Sequence, residues 1–82
     1  NISLIFIFKT PKKIDLHMLF VFYPIDVIFL NEYKTVIELK ENFKPFTFYL
    51  SEKKAKYVIE LPNKTIKNKK IELGDKLSFA DI

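Results

Sequence analysis

The chain has 82 residues and 49% hydrophobic residues, enough for a single domain, 1–82, with one core. It has no cysteine, which excludes disulfides, thiolate metal ligands and thiol nucleophiles. The 14 basic residues are all lysines and the net charge is +4, so the chain lacks the guanidinium group that binds phosphate through two parallel hydrogen bonds.

Short strands are the predicted elements along most of the chain. Residues 16–30 are nearly all apolar, and only His17, Pro24 and Asp26 interrupt the run. The run is shorter than the roughly 20 apolar residues of a membrane span, and its Phe, Val, Ile and Tyr content is typical of strands. We therefore predict two buried strands with a break at Tyr23-Pro24. In chain order, the predicted strands cover residues 2–8, 16–22, 25–30, 35–39, 46–50, 56–61 and 76–79.

Turn residues separate these segments and define the expected architecture. Gly74-Asp75 has the composition of a tight turn, and residues 64–70 can form a short helical turn anchored by Ile66 and Ile71. We predict an all-β fold: a small β-sandwich or barrel-like domain of about seven short strands, with at most one short helical turn near residues 64–70.

The start of the chain bears on localisation. Apolar residues 2–8 come first, and lysines follow them, whereas a secretory signal places its charges before the apolar stretch. We read residues 2–8 as a strand, predict no membrane association, and assign the protein to the cytoplasm.

Three segments resemble the uncharacterised conserved family known as domain of unknown function 192, in its archaeal branch. They are residues 4–8, residues 17–30, and residues 55–62 followed at a distance by Gly74-Asp75. The resemblance implies a compact, mostly β, sandwich-like fold without an established activity. It also implies a segment upstream of the first strand for which this chain has no room. We therefore expect one apolar face of the core to be uncovered and to bind a protein partner or a second copy in a homodimer.

The bend at Pro24 is the leading candidate site. A carboxylate within apolar sequence is costly unless it is hydrogen-bonded, so Asp26 either caps the turn at Pro24 through backbone N–H groups or serves as a polar anchor in an apolar pocket. The leading hypothesis is a small non-enzymatic β module that binds a ligand or protein through an apolar groove near Pro24–Asp26. Its candidate ligand-binding residues are His17, Tyr23, Pro24 and Asp26.

A hydrolase-like site is one alternative, in which Asp26 acts with His17 or Glu60. A single histidine is a weak signal, and Glu60 is expected to be an outward-facing strand residue. No catalytic set, metal site or cofactor is predicted, and the chain is expected to be a binding module rather than an enzyme.

Nucleic-acid binding is the other alternative. Its candidate residues are Lys53, Lys54, Lys56, Lys67, Lys69 and Lys70. Aromatic residues lie near these lysines in the sequence, and single-strand binding sites combine positive charge with stacking faces. Ten acidic residues are scattered through the same chain, however, and a solvated lysine surface is the preferred interpretation.

Overall fold

A computed structural model describes residues 3–16 and 22–81 and contains one antiparallel sheet. Its four strands run in the spatial order β1-β4-β2-β3. They are β1 (Leu4–Lys12), β2 (Ile25–Leu30), β3 (Val36–Phe43) and β4 (Ala55–Pro62). A single helical turn, α1 (Thr65–Asn68), follows β4, and a 3₁₀ turn occupies Phe79–Asp81.

The expectation of about seven strands in a sandwich or barrel is wrong for the part of the chain that the structure describes. Residues 46–50 and 76–79 contribute only the isolated bridges Asp15–Leu50 and Thr35–Lys76. Tyr49, Leu77 and Phe79 of these segments pack on the faces of the four-stranded sheet, and the two segments form no second sheet among the described residues. The predicted strand over residues 16–22 lies mostly outside the described residues. The predicted helical turn near residues 64–70 is confirmed by α1.

The two faces of the sheet are both covered, which explains why all six residues of β2 are buried. Because side chains alternate along a strand, Val27 and Phe29 point to one face, here called the front face, and Ile28 and Leu30 point to the other, the back face. Ile14, Leu16, Phe43 and Tyr49 pack on the front face. Ile66, Ile71, Leu77 and Phe79 pack on the back face.

A small backbone network holds the front layer together. The N–H of Leu16 donates to the carbonyl of Tyr49 at 2.9 Å, and the N–H of Ser51 donates to the carbonyl of Ile14 at 2.8 Å. The buried hydroxyl of Ser51 accepts the N–H of Ile14 at 2.7 Å. These bonds satisfy backbone groups that a second sheet would otherwise pair.

The two edges of the sheet differ. At the β3 edge, the N–H of Val36 donates to the carbonyl of Asp75 and its carbonyl accepts the N–H of Gly74, each at 2.8 Å. Gly74 has φ +90°, which glycine adopts without the steric cost of a side chain, as the predicted tight turn requires. The outer edge of β1 is paired with no strand among the described residues.

Candidate functional site

Asp26 is fully buried on the back face, and both of its carboxylate oxygens accept backbone hydrogen bonds. One oxygen accepts the N–H of Ile66 in α1 at 2.8 Å, and the other accepts the N–H of Asn42 in β3 at 3.1 Å. Asn42 has φ 53°, in the left-handed region that asparagine adopts more readily than most residues, and Asp26 holds this bend as well as the helical turn. The donors come from distant segments and not from the turn at Pro24. Asp26 therefore connects three elements at one end of the sheet.

Glu60 is also buried, which contradicts its expected outward orientation. It lies in β4 between its register partners Leu4 of β1 and Val27 of β2, and neighbouring strands on both sides limit its access to water. Its Oε2 has no hydrogen-bond partner among the described residues, and burial raises the pKa of its carboxyl. Glu60 is the one buried carboxylate there with an oxygen left unsatisfied.

The structure does not bring the hydrolase candidates together. Val27, the register partner of Glu60, is a front-face residue, whereas Leu61, the partner of Asp26, is a back-face residue. The carboxylates of Asp26 and Glu60 therefore lie on opposite faces of the sheet and cannot flank one substrate bond. His17 lies outside the described residues.

The residues before Pro24 contribute to an exposed group of aromatic side chains. Because Ile25 pairs with Phe43, residues 22–24 and 44–48 leave the sheet at the same end. Phe22 is 80% exposed, Tyr23 64% and Phe48 76%, and Phe46 is fully exposed. We call Phe22, Tyr23, Phe46 and Phe48 the aromatic surface. Pro24 is exposed beside it, so Tyr23 and Pro24 face solvent whereas Asp26 does not.

An open cleft of about 350 Å³ adjoins the aromatic surface. It lies between the end of β3 and the following loop, with residues 40–44, Thr47 and Phe48 as its lining. Lys40 and Lys44 make its rim mainly positive, with Glu41 between them in sequence. The Asp26 carboxylate holds the N–H of Asn42, so the buried aspartate positions one wall of this cleft without touching its contents.

Glu38 fixes the other end of the loop that carries Phe46 and Phe48, a role that no sequence motif indicated. It is buried and accepts hydrogen bonds from the Tyr49 hydroxyl, the N–H of Glu52 and the N–H of Lys53. Burial, and then the Glu38 carboxylate, raise the pKa of Tyr49 to about 12. The alternation of residues 36–40 places Glu38 on the same side as Lys40, so the sequence pattern predicts a solvated glutamate and gives no signal of its burial.

The candidate nucleic-acid lysines form two separate groups. Lys53 and Lys54 precede β4, and Lys56 near its start donates from Nζ to the carbonyl of Lys9 at 2.9 Å. Residues 67–70 follow the opposite end of β4: Lys67 lies within α1, and Lys69 and Lys70 come directly after it. An eight-residue strand is roughly 25 Å long, so the two groups do not line one short groove.

Residues 3–16 and 22–81 include no helix that is long and apolar enough to cross a membrane. Nor do these residues include a group of three or more histidine, aspartate or glutamate side chains arranged to hold a metal ion.

Comparison with known proteins shows which family the chain belongs to. The model of the family DUF192, described as "Uncharacterized ACR", matches residues 1–79. The chain belongs to the DUF192 family. The predicted resemblance is thus confirmed, including its archaeal character: a UPF0127 protein of Pyrococcus furiosus is 40% identical over 78 residues, and one of Pyrococcus abyssi is 42% identical over 79 residues. A UPF0127 protein of Thermococcus sibiricus is 36% identical over 81 residues.

The DUF192 chain spans only part of its relatives. It is matched over 93%, 94% and 96% of its length by the Pyrococcus furiosus, Pyrococcus abyssi and Thermococcus sibiricus proteins, but covers 66%, 67% and 52% of theirs. The names of these relatives state no activity.

Two crystal structures share the fold. A Sinorhizobium meliloti protein provisionally named a transcription regulator superposes with a TM-score of 0.85 at 26% identity, over 98% of this chain and 64% of that one. A Novosphingobium aromaticivorans protein of unknown function superposes with a TM-score of 0.82 at 23% identity, over 94% of this chain and 56% of that one.

Proposed function

We propose that this chain is a non-enzymatic binding module whose aromatic surface binds a protein segment that carries apolar side chains and a net negative charge. The observation behind the proposal is the exposure of four aromatic side chains at one end of the sheet, next to a cleft. Exposed apolar groups of this kind are rare on proteins that act alone, and aromatic residues are enriched at protein interfaces.

The conformation of Phe46 supports the same proposal. This residue has φ 63°, a backbone region that bulky side chains rarely adopt, and its side chain is fully exposed. A strained backbone that presents a large apolar group to water costs free energy in the isolated molecule. Such strain is characteristic of binding sites, where the partner recovers part of the cost.

The charge around the cleft indicates the chemistry of the partner. Lys40 and Lys44 stand beside the aromatic surface, and Glu41 is the single acidic residue among the lining residues. Complementary charge raises the rate of association and selects against basic partners. An acidic segment with aromatic or aliphatic side chains fits this surface, because its apolar groups bury against the rings while its carboxylates pair with the two lysines.

Asp26 has a positioning role in this proposal. Its two backbone hydrogen bonds already use both of its oxygens, and it does not reach the cleft. Tyr23 and Pro24 are the members of the predicted site that contact the partner.

A random peptide library displayed on phage provides the test, with the immobilised chain as the target. We expect the enriched peptides to be acidic and to contain apolar side chains, and their affinity, measured by titration calorimetry, to fall at least about tenfold in Phe46→Ser. Leu73→Ser is the matched control, because Leu73 is 65% exposed and lies in the turn before Gly74. No enrichment, or peptides that bind Phe46→Ser as well as the unmodified chain, would refute the proposal.

A further inference from the structure

The outer edge of β1 is the second unusual surface of the molecule. Residues 4–8 read Leu-Ile-Phe-Ile-Phe, without a charge or a proline, and they lie on an edge strand. Proteins normally protect such an edge with charges, prolines or a covering segment, because its free N–H and C=O groups pair readily with another strand. Here Lys9, Pro11 and Lys12 protect only the second half of β1.

The side chains of residues 4–8 that point to the back face, Ile5 and Ile7, are exposed. Ile5 and Ile7 are register partners of Ile59 and Tyr57 in β4. Ile7 is 64% exposed and Ile5 37%, whereas Ile59 is fully buried. The apolar back face therefore continues outward past its covering layer, up to the free edge.

We propose that β1 pairs antiparallel with β1 of a second copy about a two-fold axis at Phe6, so that the two sheets join into one. In this register Ile5 lies opposite Ile7 of the second copy, and the reverse pair completes a patch of isoleucines on the back face. Leu4 lies opposite Phe8 and Phe6 opposite Phe6 on the front face. Apolar cross-strand pairs of this type stabilise antiparallel sheets.

The distribution of charge along β1 favours a second copy of the chain as its partner and antiparallel pairing as the arrangement. Lys9 lies opposite Ser3 of the second copy, and the two Lys9 residues are about 20 Å apart along the strands, which is well beyond the screening length in physiological salt. Parallel pairing in register would instead place the two Lys9 side chains next to each other. The antiparallel arrangement thus removes the like-charge repulsion that the parallel one creates.

The other edge of the sheet does not offer β1 an equivalent partner. At the start of β3, Val36 is already hydrogen-bonded to Gly74 and Asp75, and the later half of the strand carries Lys40 and Glu41. Pairing of β1 with β3 would also be head-to-tail and would lead to rings or open polymers, whereas pairing of β1 with itself closes at two copies.

Sedimentation equilibrium over a range of concentrations tests the association. Strand pairing alone buries less area than a standard interface, so we expect a monomer–dimer equilibrium of moderate affinity. Ile7→Lys should weaken it at least about tenfold. Leu73→Lys adds the same charge at a position of similar exposure, 65%, and should leave it unchanged. A chain that remains monomeric at all concentrations, or a dimer that Ile7→Lys does not weaken, would overturn the proposal.

The register can be tested separately, because the chain has no cysteine of its own. Ile5→Cys and Ile7→Cys variants should form a disulfide when mixed and oxidised, since residues 5 and 7 of different copies are directly opposite. Each variant alone should not, because identical positions are roughly 8 Å apart across the axis, beyond the reach of a disulfide. Absence of the mixed disulfide, or equally efficient cross-linking of one variant alone, would overturn the proposed register.

Discussion

The two buried carboxylates of the sheet allow a matched prediction about stability. Asp26 and Glu60 occupy neighbouring register positions on opposite faces, and both change to the corresponding amide without a large change in shape. Asp26 accepts two backbone hydrogen bonds, whereas Glu60 has an oxygen that accepts none among the described residues. We expect Asp26→Asn to destabilise the fold and Glu60→Gln to leave its stability unchanged or to increase it.

The magnitude for Asp26 follows from its two bonds. A hydrogen bond to a charged group contributes about 1.5–3 kcal/mol. The asparagine oxygen can keep the bond to the N–H of Ile66 as a weaker, neutral one, and its NH₂ group then faces the N–H of Asn42 and leaves that donor unsatisfied. The expected loss is about 2–4 kcal/mol of unfolding free energy, a large fraction of the roughly 5–15 kcal/mol that stabilises a typical domain.

Urea unfolding followed by circular dichroism at neutral pH measures this difference. The midpoint should fall in Asp26→Asn with an unchanged slope, since the surface exposed on unfolding stays the same. The reasoning fails if Asp26→Asn is within about 0.5 kcal/mol of the unmodified chain. It also fails if Glu60→Gln loses as much stability as Asp26→Asn.

Four other predictions concern ionisation, stability and binding. Because burial raises the pKa of Glu60, the carboxyl of the unfolded chain loses its proton at a lower pH than that of the folded chain. As the pH rises above 4.5, the unfolding free energy therefore falls until the pKa of the folded state is passed. Urea titrations at several pH values should show this fall in the unmodified chain, and its contribution from Glu60 should be absent in Glu60→Gln. Because the pKa of Tyr49 is raised from 10.0 to about 12, its contribution to stability is complete below pH 10 and lost as the pH rises through about 12; ultraviolet difference spectra against Tyr49→Phe should place its ionisation there. Tyr49→Phe should also cost about 1.5–3 kcal/mol in urea unfolding at pH 7, because Glu38 loses a donor. Finally, fluorescence anisotropy with a short single-stranded oligonucleotide at low salt should show no saturable binding, since the lysine groups lie at opposite ends of β4; tight, steeply salt-dependent binding would favour the nucleic-acid alternative.

Local sequence patterns were sufficient for the central elements. The apolar run 25–30, bounded by Pro24 and Asn31, predicts β2 with its observed bounds. The segment before Pro62 predicts most of β4, and the anchors Ile66 and Ile71 predict a helical turn where α1 occurs. Gly74-Asp75 is a turn, as its composition indicates. Each of these depends on residues close together in the chain, where sterics and turn chemistry act directly.

The layers around the sheet could not be predicted in the same way. The alternation of residues 46–50 is typical of a strand, yet only Leu50 of this segment forms a bridge. Its aromatic residues divide between the core and solvent: Tyr49 packs on the front face while Phe46 and Phe48 are exposed. The alternation of apolar and polar residues predicts which side chains point to the same side of an extended segment. It does not predict whether a neighbouring strand lies close enough to form hydrogen bonds with that segment.

The amino-acid sequence by itself determined the β-rich class, the central strands and the kinship with DUF192, because a run of bulky apolar residues between turn residues has few other stable conformations. Only the tertiary structure decided the roles of the carboxylates. The donors to Asp26 come from residues 16 and 40 positions away, and the burial of Glu60 depends on β1 and β2 lying on either side of β4. Hydrogen bonding and desolvation act between atoms that are close in space, and sequence separation does not specify which distant segments meet.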